Sequence, residues 1–186
     1  MASTGITASA MECLVRQGDA CRKNTKDLRS TQVTPQLMSI ISDCSGVNGL
    51  AGGQLAELST SPYGEVESKD IEDIIKRKTG ALFEAAIMSG WIIGTSTWKS
   101  PPSEARNKLI KEIAHHYGMA FQIADDIEDL DEDIKRGQGN VNYCATYKRA
   151  PSIERVRYEL TQCCSKLKTL GLWSPIWLDA IKLIYV

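Results

Sequence analysis

Between residues 118 and 133 the chain reads GMAFQIADDIEDLDED, an unusual density of carboxylates laid on a helical pattern. With Asp125 at the zero of a helical wheel and about 100° per residue, Asp129 falls near 40°, Gln122 near 60° and Asp126 near 100°. One amide and three carboxylates therefore share one arc, with the bare Gly118 one turn back. Ile113, Tyr117, Ala120, Ala124 and Ile127 form a separate apolar stripe. Three acids on one face repel one another unless a cation sits among them. Oxygen ligands in that number suit a hard ion, and Mg²⁺ keeps several waters and shares a phosphate. Asp125, Asp126 and Asp129 are therefore the candidate metal ligands. Acids near a helix C-terminus also oppose the helix dipole, which calls for a compensating charge.

Other residues could serve phosphate chemistry. Lys76, Arg77 and Lys78 form a basic cluster followed by Thr79 and Gly80, Lys135 and Arg136 come just after the acids, and Gln54 sits in a glycine-rich stretch. Cations that neutralise non-bridging phosphate oxygens, together with Mg²⁺ held by carboxylates, stabilise a departing diphosphate. A Lys-Arg-Lys run taken alone is more often a solvated face. His115 reads as an ordinary half-buried residue, and Trp91 and Trp98 as core or interface. The three aspartates with Gln122 lift the reading above that background.

The elements that must carry these groups are all helical. Apolar residues recur at three and four over residues 6–22, and Thr34-Pro35 marks the start of a second helix running to about Leu58. That helix contains Gly46, Gly49, Gly52 and Gly53, each costing about 1 kcal/mol relative to Ala. Such glycines let another helix or a ligand come close. A third helix begins near Ser68, with Asp70, Glu72 and Asp73 in its first turns, and continues through Gly94. Ser103 caps a fourth that runs into the acidic face. After a Gly- and Asn-rich loop over residues 135–142, helices are predicted over 151–170, stopped by Gly171, and over 174–185. No strand-like alternation appears, so the fold class is all-α, with helices packed antiparallel.

The chain has 186 residues and 42% apolar content, enough for one full-sized domain with a real core. The 22 basic and 23 acidic residues nearly cancel and are well mixed, so no basic excess points to nucleic acid. The six cysteines form no C-x-x-C pair and the two histidines are adjacent, which argues against zinc. Cys163 and Cys164 read as buried thiols of a reduced, cytoplasmic protein. The longest uncharged run, Ala85 to Trp98, is too short to span a bilayer.

The segments GLAGGQLAEL at 49–58, KTGALFEAA at 78–86 and GMAFQIADDIEDLDED at 118–133 resemble the trans-isoprenyl diphosphate synthases, or polyprenyl synthetases, of the farnesyl and geranylgeranyl type. The resemblance covers most of residues 35–142 and, more weakly, the flanks. It implies an isoprenoid-synthase helical bundle around a central cavity. In that family two aspartate-rich motifs face each other across the cavity and hold three Mg²⁺ on an allylic diphosphate. Ionisation gives an allyl cation, which the double bond of isopentenyl diphosphate attacks. Proton loss then completes a longer trans prenyl diphosphate. Asp125, Asp126 and Asp129 match the second motif, Lys78 and Thr79 the pair that contacts the diphosphate, and Gln122 the glutamine preceding that motif. Lys135 resembles a later lysine near the diphosphate, and Gln54 is a further substrate-binding candidate.

The departures matter as much. The first aspartate-rich motif should lie upstream of Gln54, where the acids are only Glu12, Asp19, Asp27 and Asp43, scattered singly. The family's glycine-lysine-arginine loop for isopentenyl diphosphate is missing too. Residues 1–186 therefore resemble a single, partial synthase domain, the C-terminal part, and the isolated chain is expected to be weak or inactive. The rival expectation is a non-catalytic partner subunit of a complete synthase, and the family resemblance implies a homodimer or such a heterodimer.

Overall fold

The computed structural model describes residues 30–60 and 68–184, together with Glu12 and Arg16. The helix predicted over residues 6–22 lies outside these residues, save for the helical Glu12 and Arg16. Among the described residues every regular element is a helix, in agreement with the all-α reading. In order they are α1 (Ser30–Ser45), α2 (Leu50–Ser59), α3 (Ser68–Ile75), a π-helical turn (Lys76–Gly80), α4 (Ala81–Thr95), α5 (Glu104–Glu128) and α6 (Leu130–Lys135). A 3-10 turn (Gly139–Val141), α7 (Tyr143–Tyr147), α8 (Arg149–Thr169) and α9 (Pro175–Lys182) follow.

Helix α5 is the axis of the molecule. Ile113, Ala114, Ala120 and Ile123 on it are wholly buried, as are Cys163 and Leu167 on α8, its most extensive partner. Each large apolar side chain removed from water in this way contributes about 1.5–3 kcal/mol. Helix α4 packs along another side of α5 through Met88 and Trp91, and α1 packs on α4. Ser103 caps α5 as predicted, its hydroxyl accepting from the Arg106 N–H.

Several boundaries correct the sequence reading. The helix predicted from Pro35 to Leu58 is already formed at Ser30, encloses Pro35 and breaks after Ser45 before resuming at Leu50. The backbone turns so tightly there that a Cβ on Gly49 would lie 2.0 Å from the Cys44 carbonyl oxygen, and one on Gly52 1.7 Å from that of Val47. Only glycine passes such a bend. The third predicted helix is interrupted by the π-helical turn at the Lys-Arg-Lys run. The acidic helix stops at Glu128, and Asp129 (φ −88°, ψ 4°) is the hinge into α6. That break moves Asp131, Glu132 and Asp133 from the tail of one helix dipole to the favourable first turn of another. The loop predicted over 135–142 holds a 3-10 turn, and α7 follows it. Helix α8 starts two residues before Pro151 and ends as predicted, with Gly171 at φ 69°. Cys163 is buried, whereas Cys164 is only half-buried; Cys13 and Cys21 lie outside the described residues.

Candidate active site

Three glycines bring the site together. Gly53 of α2 lies against the π-helical turn so closely that a Cβ would meet the Lys78 nitrogen at 2.6 Å. Gly118 of α5 faces Gly80, whose Cα would be 3.0 Å from an added Cβ. With no side chains in the way, α2, the π-helical turn and α5 meet nearly backbone to backbone. The turn then presents Lys78 and Thr79 to the acidic face of α5. Thr79 Oγ1 donates to Gln122 Oε1 at 2.6 Å, and Gln122 Nε2 donates to Asp126 Oδ1 at 2.8 Å and Asp125 Oδ2 at 3.4 Å. Lys78 Nζ donates to both carboxylate oxygens of Glu57, at 2.8 and 2.6 Å, and Gln54 Nε2 donates to the same carboxylate at 3.0 Å.

The aspartates are not equivalent. Asp126 is buried, 7% exposed, and its Oδ2 accepts from the Tyr143 N–H at 2.7 Å. Asn142 ties the same region together: its Nδ2 donates to the Asp126 carbonyl oxygen at 2.9 Å and to Asp133 Oδ2 at 2.8 Å. Burial pushes the Asp126 carboxyl up to about 6, against the hydrogen bonds from Tyr143 and Gln122 that hold it down. Asp125 and Asp129 are exposed on successive turns. The Asp125 carboxyl is also raised, by partial burial first and then by the charges of Asp129 and Asp133. The face carries more negative charge than its own donors relieve.

Lys78, Thr79, Gln122, Asp125, Asp126 and Asp129 all line one cleft of about 180 Å³, together with Glu57, Asp133 and Asn142. Two predicted residues stand apart. Gln54 does not line the cleft and reaches it only through Glu57. Lys135, at the end of α6, is exposed and outside it. The basic cluster also divides: Arg77 pairs with Asp73 on the preceding turn, and Lys78 faces the cleft. Glu57, Asp133 and Asn142 were not singled out in the sequence. A hint for Asn142 exists in its place at the start of a short helix, where its Oδ1 accepts from the Ala145 N–H at 2.9 Å.

Among the described residues no three His, Cys, Asp or Glu side chains converge closely enough to hold a metal ion alone. Asp126 already spends both oxygens on hydrogen bonds, while Asp125 and Asp129 face outward a turn apart. That donor set fits an ion that takes one or two carboxylates, keeps its waters and shares a ligand phosphate; it does not form an all-protein cage.

Residues 3–141 match the sequence model of a family described as polyprenyl synthetase. The chain is 25% identical over 178 residues to a trans-prenyltransferase of African swine fever virus, covering 95% of this chain and 46% of that protein. It is 25% identical over 152 residues to farnesyl diphosphate synthase of Bacillus subtilis, covering 79% of this chain and 49% of the other. The chain thus spans about half the length of these curated relatives. A crystal structure assigned to farnesyl-diphosphate synthase from Marinomonas sp. MED121 superposes with a TM-score of 0.70 over 88% of this chain and 56% of its own, at 23% identity. At that identity the likeness establishes the fold, the isoprenoid-synthase helical bundle. From the match over residues 3–141, this chain belongs to the polyprenyl synthetase family.

Proposed function

We propose that this chain supplies the diphosphate-binding wall of a trans-prenyltransferase of isoprenoid biosynthesis, which condenses isopentenyl diphosphate with an allylic diphosphate. The observation that carries the reading is the convergence of Lys78, Thr79 and Gln122 with Asp125, Asp126 and Asp129 on one cleft. Asp125 and Asp129 would hold Mg²⁺ from the outer side, with Asp126 behind them. When bound, Mg²⁺ neutralises charge on the diphosphate as it leaves carbon. Lys78 offers its ammonium to non-bridging oxygens, and Thr79 and Gln122 hold each other and orient the acids through Asp126. In the reaction the allylic C–O bond breaks and diphosphate departs with the electron pair. The isopentenyl double bond then forms the new C–C bond, and a proton is lost from carbon.

With one carboxylate wall, the isolated chain is expected to bind Mg²⁺ and diphosphate but to elongate prenyl chains weakly or not at all. Calorimetric titration with Mg²⁺ and inorganic pyrophosphate tests the wall. Lys78→Ala should weaken binding at least tenfold, the scale of a lost charge-assisted contact, and Lys135→Ala should leave it unchanged. Absence of pyrophosphate binding by the wild-type chain overturns the reading. Incubation with Mg²⁺, an allylic diphosphate and labelled isopentenyl diphosphate tests the rest, where robust elongation would refute the expected inactivity.

A second reading is favoured by one observation. Val47, Leu55 and Leu58, on and beside α2, are 77%, 67% and 74% exposed, and Leu82 of α4 and Phe121 of α5 are also exposed. Such a face suits a non-catalytic partner docked on a complete synthase, or a homodimer. Mixing with a purified full-length family member distinguishes the two: a co-eluting complex with a changed product length supports the partner role, and independent elution counts against it.

A further inference from the structure

A second set of charged groups crosses three helices beside the cleft. Arg155 of α8 donates through Nη1 and Nη2 to the two carboxylate oxygens of Glu72 on α3, at 3.1 and 3.4 Å, and through Nε to Glu159 Oε1 at 2.6 Å. The other oxygen of Glu159, Oε2, lies 2.5 Å from His116 Nδ1 on α5. Glu159 is 1% exposed, so its charge is held entirely by these partners.

Both ends of this chain of groups lie on elements that carry site residues. Glu72 belongs to α3, which runs directly into the turn bearing Lys78 and Thr79. His116 belongs to α5, less than two turns, at about 3.6 residues each, before Gln122. Helix α3 is continuous with that turn and buries Ile71, Ile74 and Ile75, while its Glu72 side chain reaches across to α8. The paired bonds from Arg155 are directional and tie the Glu72 face of α3 to α8. The quantity at stake is the 2.6 Å contact between Thr79 and Gln122, which spans the gap between the two elements.

We propose that Glu72, Arg155 and Glu159 are positioning residues: they clamp α3 to α8 and α5 and so set the spacing between Lys78–Thr79 and the acidic helix. For its binding consequence the proposal rests on the diphosphate-wall reading; for its structural consequence it does not. Hydrogen exchange on the full chain tests the clamp. In Glu72→Ala, which leaves buried Glu159 with both partners, amides 76–80 should exchange roughly tenfold faster while the cores of α5 and α8 keep their protection. Arg155→Lys, which loses the two-pronged contact but keeps the charge, should fall between wild type and Arg155→Met. Affinity for pyrophosphate with Mg²⁺ should drop roughly tenfold in Glu72→Ala, in step with the exchange. Unchanged exchange at 76–80, or an equal acceleration across α3, α5 and α8, overturns the clamp. If the wild-type chain binds no pyrophosphate, the diphosphate-wall reading fails and the exchange experiment alone decides the clamp.

Discussion

Helix α5 carries charge chemistry on two sides, and the two are solved in opposite ways. On the His116 side, Glu159 is wholly buried; burial pushes its carboxyl up, but hydrogen bonds from His116 and Arg155 outweigh this and hold it below the ordinary glutamate value. On the cleft side, burial and neighbouring aspartates push the Asp125 carboxyl up, and one glutamine answers them. The first set is finished within the protein. The second is short of positive charge, which is the state expected of a surface that completes itself with a ligand and its cations.

The contrast is easiest to break by removing one acid from each side. Glu159→Ala strips His116 of its carboxylate partner, leaves Arg155 with Glu72 alone and should cost about 3 kcal/mol in urea denaturation. Asp125→Asn should change stability by no more than about 0.5 kcal/mol, since it relieves repulsion and keeps an oxygen to accept from Gln122. Equal losses would mean that the cleft acids are structural as well. Next in size is Gly53→Ala, whose methyl would press on the Lys78 backbone; overpacking of this kind costs about 2 kcal/mol and should loosen the π-helical turn in hydrogen exchange. Thr79→Val deletes the contact to Gln122 and should cost about 1 kcal/mol, with a parallel loss of pyrophosphate affinity. The smallest effect is in pH. Because the Glu159 carboxyl is depressed in the fold, its contribution is complete above the unfolded value of 4.5 and is lost as pH falls through the folded value. Glu159→Gln should flatten the stability profile below pH 4.5.

The acidic arc was legible because helical spacing and residue type agree over several turns: Gln122, Asp125, Asp126 and Asp129 share the cleft that the wheel placed them on. The glycines at 49 and 52 were legible as sites of close approach, but not as a break in the chain, because bend and contact demand the same residue. The π-helical turn left no trace in the pattern, since one widened turn at KRKTG shifts the apolar register by less than the pattern resolves. Nothing local told that Arg77 pairs with Asp73 while Lys78 faces the cleft. Glu57 was invisible as a site residue because its partner lies 21 positions away and meets it only where Gly53 admits the turn. Lys135 illustrates the converse: it lies on the same short helix as Asp133, which lines the cleft, yet it is exposed and outside it.

The pairing of Lys78 with Glu57 has a consequence for selectivity under the proposed function. The ammonium is already satisfied by a resident carboxylate at 2.6 Å, so an arriving anion must win an exchange. A singly charged anion offers Lys78 little that Glu57 does not, and leaves Glu57 with Gln54 as its donor among the aspartates. A diphosphate escorted by divalent cations brings surplus charge of both signs, enough to take the lysine and to quiet the displaced acid in the same event. The internal ion pair would then favour a ligand that arrives with its own counter-ions over a bare monoanion.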